Sequence, residues 1–161
     1  KQVIKNYIRV DADEVHYPLH IIHRFRLEKS IIEEDSNVND LPDLWNQEFY
    51  KIFKMKVHDD KYGCLQDIHW FGGDFGYFPT YSIGAFIAAQ IYSCLENQNP
   101  QIIEFFKNGN FKSTIDWLRD NIHKYGSYFK IDELLVKASG EKLNLKYFED
   151  HIVDRYLKEI K

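Results

Sequence analysis

The sequence predicts an all-α fold, a helical bundle-like arrangement interrupted by one long irregular loop. Apolar residues recur at helical spacing in several windows, Pro and Gly punctuate the ends of those windows, and no window sustains the alternation of a strand. With 161 residues, 44% hydrophobic and 29% charged, the chain suits one helical unit spanning residues 1–161 with a core of its own.

The first helix falls between Asp11 and Glu33, where Val15, Leu19 and Ile22 repeat at i, i+4 and i+7 and Phe25, Ile31 and Ile32 continue the apolar side. Arg24, Arg26, Glu28 and Lys29 are expected to face water. Pro18 requires either a kink or a start later than Asp11, because inside a helix it removes a hydrogen bond and clashes with the preceding turn. The polar link 33–39 leads to a second helix with Asp40 as its cap, Pro42 and Asp43 in its first turn, and a buried face of Leu41, Leu44, Trp45, Phe49, Ile52 and Phe53 running to Lys54. Residues 55–79 hold no period and read as a loop rich in Gly and aromatic side chains. A strongly apolar helix then runs from Pro79 to about Asn97 and is expected to be the most buried of all. Pro100 opens a short helix that ends near Gly109. Phe111, Ile115, Leu118 and Ile122 mark the next stripe, and Ile131, Leu134, Leu135 and Ala138 another before Gly140. Asn144 caps a final helix, with Leu145, Phe148, Ile152 and Tyr156 facing inward.

Composition excludes several partners. A net charge of −4 supplies no basic field for nucleic acid. No run approaches the about 18 apolar residues of a membrane span, and no signal peptide opens the chain. Cys64 and Cys94 form no CxxC pair, which fits a reduced, cytoplasmic compartment. The chain opens KQVIKNYIRVDADE without an initiator Met, and Met55 is its single Met, a pattern expected of a processed chain or a piece of a longer one.

The chemistry-bearing residues cluster in Gly63 to Gln90, GCLQDIHWFGGDFGYFPTYSIGAFIAAQ. Glycines permit close approach while the large rings demand burial, so a fixed loop presenting polar groups is expected. In an extended segment Asp67 and His69 share a face, where the carboxylate could orient the imidazole toward a substrate oxygen; the alternative is a loop cap and a histidine bonded to a buried carbonyl. Tyr77 and Tyr81 are either donors to a developing oxyanion or aromatic core. His16, His20 and His23 share a helix face at metal-ligand spacing, but hydrogen-bonded or solvated histidines are the expected reading; no HExxH occurs, and no metal ligand is assigned.

These residues carry a resemblance. GCLQDIHW followed by GGDFGYFPTYSIGAFIAAQ resembles the carboxypeptidase Taq (thermostable carboxypeptidase) family of zinc metallocarboxypeptidases. The family motif I(R/A)xxAD falls on Ile8, Arg9, Ala12 and Asp13, and GxxQDxHW on Gly63, Gln66, Asp67, His69 and Trp70. EVHYPLHIIHRFRLEKSII, DLPDLWNQ and SGEKLNLKYF extend it over the whole chain, with His16 and Pro18 standing where Thr and Asn are more usual and Phe71 replacing a small residue.

The resemblance implies the C-terminal portion of a mainly helical zincin-type enzyme roughly three times this length, usually a homodimer, whose HExxH segment and downstream Glu hold zinc in the N-terminal part. It implies that Arg9 binds the free C-terminal carboxylate of a peptide substrate, that His69 and Tyr81 hold the scissile carbonyl or its oxyanion, and that Tyr77, with Gln66 and Asp67, serves substrate binding. The zinc-activated water and its general base would come from the N-terminal part, so this chain alone is expected to carry no zinc and no activity. The alternative is a non-catalytic helical domain of that fold that binds peptides or proteins.

Overall fold

The computed structural model describes residues 2–34 and 36–158, and its regular elements there are all helical. The chain groups into two compact units, Lys1–Ile83 and Gly84–Lys161.

In the first unit a 3-10 turn, Arg9–Asp11, precedes helix α1, Tyr17–Glu33. Pro18 lies in the first turn of α1, where its missing N–H costs nothing, so the helix starts later than Asp11 rather than kinking. Asp13 organises this entrance: its carboxylate accepts from the backbone N–H groups of Ile4, Val15 and His16 and pairs with His16 Nδ1 at 2.8 Å. The polar link is shorter than expected, since Val38–Asp40 is a 3-10 turn, and Asp35 within it lies outside the described residues. Helix α2, Leu41–Phe53, has Pro42 and Asp43 in its first turn; Asp40 occupies the cap position but makes no side-chain capping bond. Lys54 ends the helix in the left-handed conformation.

The core of this unit is Leu27 of α1, Trp45, Phe49 and Phe53 of α2, and Cys64 of the following loop, flanked by Leu19, Leu41, Leu44, Ile52 and Trp70. Helix α1 differs from its expected orientation. Its buried residues are His20, Ile21, His23, Arg24, Leu27 and Glu28, whereas Ile22, Phe25 and Ile32 are exposed. The helix therefore turns a largely polar face inward, where partners distant in sequence engage Arg24, Glu28 and His23 Nε2, while His20 Nε2 and His23 Nδ1 are buried without a partner among the described residues. Gly63 is buried at a close approach: a Cβ there would lie 3.2 Å from Val57 Cγ1.

Helix α3, Pro79–Gln98, starts in the first unit and continues in the second. It is not the most buried helix. Ser82, Gln90 and Leu95 are its buried residues, and Ile83 and Tyr92 are exposed, because apolar residues encircle α3 while these elements cover one side. Helices α4 (Ile102–Lys107), α5 (Lys112–Asn121), α6 (Ile131–Ser139) and α7 (Lys146–Ile152), with a π turn Val153–Leu157, complete the second unit. Its core is Leu95, Ile102, Leu134, Leu135 and Ala138, whereas Phe111, Ile115, Ile131 and Leu145, placed on the expected stripes, are exposed. Gln90 ties this unit together, donating to Ser139 Oγ at 2.8 Å and the Lys142 carbonyl at 3.1 Å and accepting from Asn144 N–H at 3.0 Å. Asn144 Oδ1 in turn accepts from Lys146 N–H at the start of α7. Among the described residues no helix is long and apolar enough to cross a membrane, and both cysteines are free thiols.

Candidate active site

The six residues singled out in the sequence all lie in the first unit, and the structure arranges them as two adjoining groups. The first is a buried ion cluster. The 3-10 turn presents Arg9, only 6% exposed, to the loop that carries Gln66 and Asp67. Arg9 Nε donates to Asp67 Oδ1 at 2.9 Å, Nη2 lies 2.9 Å from the same oxygen, and Nη1 donates to the Tyr17 hydroxyl at 2.8 Å. The other carboxylate oxygen accepts from Arg24 Nε at 2.6 Å, and Arg24 is fully buried against the Trp45 ring. Gln66 locks both arginines: its Oε1 accepts from Arg9 N–H at 2.9 Å and Arg24 Nη2 at 2.8 Å, while its Nε2 donates to the carbonyls of Tyr7, Tyr62 and Gly63.

Two guanidiniums sharing one carboxylate leave the cluster with an excess positive charge. Burial alone would raise the Asp67 carboxyl, but Arg24 and then Arg9 outweigh it and hold the group below the ordinary carboxylate value. Burial pulls Arg24 down to about 10, against the pull of Asp67, and leaves it charged at neutral pH. Arg9 is likewise lowered by burial, but Asp67 and Tyr17 more than offset this and its net shift is upward.

The second group is aromatic. His69 Nε2 lies 3.0 Å from the Tyr81 hydroxyl, and the imidazole packs against Phe78 at 4.4 Å and Tyr77 at 5.8 Å between ring centres. His69 Nδ1 is buried and has no partner among the described residues. Tyr77 is half exposed and meets Tyr81 edge to face. Burial raises the Tyr81 phenol while neighbouring Arg9 restrains the rise, so it is a protonated donor at neutral pH. The groups touch through Arg9, whose guanidinium carbon stands 4.9 Å from the centre of the Tyr81 ring.

Glu28 of α1 fixes the loop that carries His69. One carboxylate oxygen accepts from Trp70 Nε1 at 2.8 Å and the other from Gly76 N–H at 3.3 Å. Gly76 adopts φ +76°, which its lack of a Cβ allows.

The Asp67–His69 pairing, one of the two readings the sequence left open, is not formed. The segment is bent rather than extended, Asp67 pairs with the two arginines, and His69 pairs with Tyr81. Sequence reasoning also missed Arg24, Glu28 and Tyr17. His20, Arg24 and Glu28 recur every four residues beside Leu27, a row whose regularity would have marked one helix face.

The histidine triplet at the start of α1 does not suit a metal. His16 pairs with Asp13, His23 Nε2 donates to the Trp45 carbonyl at 3.1 Å, and His20 sits beside the Arg24 guanidinium. Among the described residues no three His, Cys, Asp or Glu side chains are grouped to hold a metal ion. Those three histidines, each engaged separately, do not fit a zinc site.

Comparison with known proteins covers nearly the whole chain. It is 40% identical over 151 residues to carboxypeptidase 1 of Bacillus subtilis, covering 94% of this chain and 30% of that protein. It is 39% identical over 152 residues to thermostable carboxypeptidase 1 of Pyrococcus furiosus, again covering 94% of this chain and 30% of that protein. The chain thus spans about a third of the length of the curated relatives it matches. Trypanosoma cruzi metallocarboxypeptidase 1 superposes with a TM-score of 0.91 at 36% identity, covering 98% of this chain and 33% of that one. The model of the carboxypeptidase Taq (M32) metallopeptidases matches residues 1–156, and the chain, with its all-α fold, belongs to that family.

Proposed function

We propose that this chain is the C-terminal part of a zinc metallocarboxypeptidase that removes the C-terminal residue of peptides, and that it contributes substrate-binding and oxyanion-stabilising side chains. The observation that carries this reading is the buried Arg9–Asp67–Arg24 cluster, with its excess positive charge, in contact with the protonated donor Tyr81.

In this reading Arg9 receives the terminal carboxylate of the substrate. Its Nη1 and Nη2 each keep an N–H beyond those directed at Tyr17 and Asp67, and a guanidinium suits paired recognition of a carboxylate. Asp67 and Gln66 act by holding Arg9 rather than by touching substrate. Tyr81 donates to the scissile carbonyl as negative charge develops on its oxygen, His69 Nε2–H supports it by donating to the Tyr81 oxygen, and half-exposed Tyr77 lines the approach. The zinc ion belongs to the remaining, N-terminal part of the polypeptide. We assign the whole enzyme to the cytoplasm as a homodimer, with the isolated chain inactive.

The test is made in the intact protein. Arg9→Ala should raise KM for peptides with a free C-terminus by about tenfold or more while barely altering the weaker turnover of C-terminally amidated peptides. Equal losses on both would remove Arg9 from carboxylate recognition. An intact protein that binds peptides without cleaving them would favour a non-catalytic binding domain.

A further inference from the structure

The hydrogen-bond directions around Arg9 point to a ligand contact that the sequence motifs do not include. A guanidinium can only donate, so in the 2.8 Å contact between Arg9 Nη1 and the Tyr17 hydroxyl the oxygen must accept. The Tyr17 O–H is thereby free to donate, and it has no acceptor among the described residues. Tyr17 is half buried at the first residue of α1, its ring set edge to face against Tyr81 at 6.4 Å, and the Arg9 guanidinium stands 5.9 Å from its centre. Tyr17 and Tyr81 thus flank one guanidinium, each bearing a hydroxyl, while the cluster behind them carries an excess positive charge.

We infer that Tyr17 is a second direct contact to the anionic ligand, its O–H donating to the same carboxylate that Arg9 binds. The inference rests on the carboxylate reading of Arg9 and adds the neighbour that shares the anion with it. A neutral donor beside a guanidinium gives the second carboxylate oxygen a partner without a further buried charge. The same geometry accounts for a phenol rather than a phenyl ring at this position: packing against Tyr81 needs only the ring, whereas accepting from Arg9 and donating onward needs the oxygen.

The experiment measures dissociation constants of the intact protein for N-acetylphenylalanine and for its primary amide. Tyr17→Phe, which keeps the ring, should weaken the acid by about tenfold and leave the amide within about twofold. Arg9→Ala supplies the control, with Arg24 still available to Asp67. In the Arg9→Ala background, Tyr17→Phe should weaken the acid again by several-fold. If it adds nothing there, Tyr17 acts only by accepting from Arg9 and the inference fails while the carboxylate reading stands. Equal weakening of acid and amide by Tyr17→Phe would reduce the residue to packing and also overturn the inference. Should Arg9→Ala itself fail to distinguish acid from amide, the carboxylate reading falls first.

Discussion

Glu28, buried on α1, accepts a hydrogen bond at 2.8 Å from the indole of Trp70, the residue that follows His69. The contact couples a helix of the core to the loop that carries the imidazole. Glu28→Ala should strand the Trp70 N–H and release Gly76, costing about 1–3 kcal/mol in stability and lowering kcat more than it alters KM. Glu28→Gln, which keeps an acceptor for Trp70, should lose less on both counts. Thermal melting and peptide hydrolysis by the intact protein check the order; equal effects of Ala and Gln would argue against positioning through this carboxylate.

Asp67 is the sole carboxylate between Arg9 and Arg24 in the cluster. Asp67→Asn should therefore destabilise by about 3–5 kcal/mol, since it leaves two buried guanidiniums without a counter-charge. The sign with pH follows from its depressed value. Stabilisation by the ion pairs is complete above the unfolded value near ~3.9 and is lost as pH falls through the lower folded value. Denaturant midpoints of the parent and the Asn variant should converge at strongly acid pH.

His20 and His23 impose a second, higher window. Burial lowers His20 to about 3 and His23 to about 4, from an ordinary value of 6.5. Between those values and 6.5 the unfolded chain binds protons that the folded chain refuses, so stability falls as pH drops from 6.5 towards 4. Each histidine contributes a slope of up to about 1.4 kcal/mol per pH unit in that range. His23→Gln should flatten the profile of unfolding free energy against pH across the window, and an unchanged slope would point to other groups.

Tyr81 offers the most direct kinetic test. With its phenol raised above the ordinary value, it remains a donor throughout the neutral range. Tyr81→Phe should reduce kcat by about 100-fold, with KM changing much less, if its hydrogen bond forms fully only as the oxyanion develops. A rise in KM at constant kcat would instead make Tyr81 a ground-state binding residue.

Much of this architecture is legible in the chain because aromatic and aliphatic residues mark it at helical period. Helix α2 is the clearest example: Trp45, Phe49 and Phe53 lie four apart, and they form the core. Helix α1 buries a different side from the one its apolar spacing predicts, for a physical reason. Arg24 and Glu28 look solvent-facing to any hydropathy pattern, yet their partners Asp67 and Trp70 arrive from more than 40 residues away and make burial of charge tolerable. The motifs mark the candidate residues but not their pairing, because the bend between Asp67 and His69 breaks the shared face that an extended segment would give them. The exposure of α3 is not legible in the sequence because an all-round apolar pattern says that a helix can be covered, not which of its sides these elements cover.

Gln66 shows what the cluster would lose with a one-atom change. Its amide must present an oxygen to the Arg24 guanidinium and the Arg9 backbone N–H and a nitrogen to three carbonyls, and glutamate supplies only the first. A carboxylate there would also cancel the excess positive charge, sealing the cluster into an electrically neutral plug. The side-chain amide therefore keeps the arrangement rigid and still hungry for an anion, two properties that a full set of internal ion pairs could not combine.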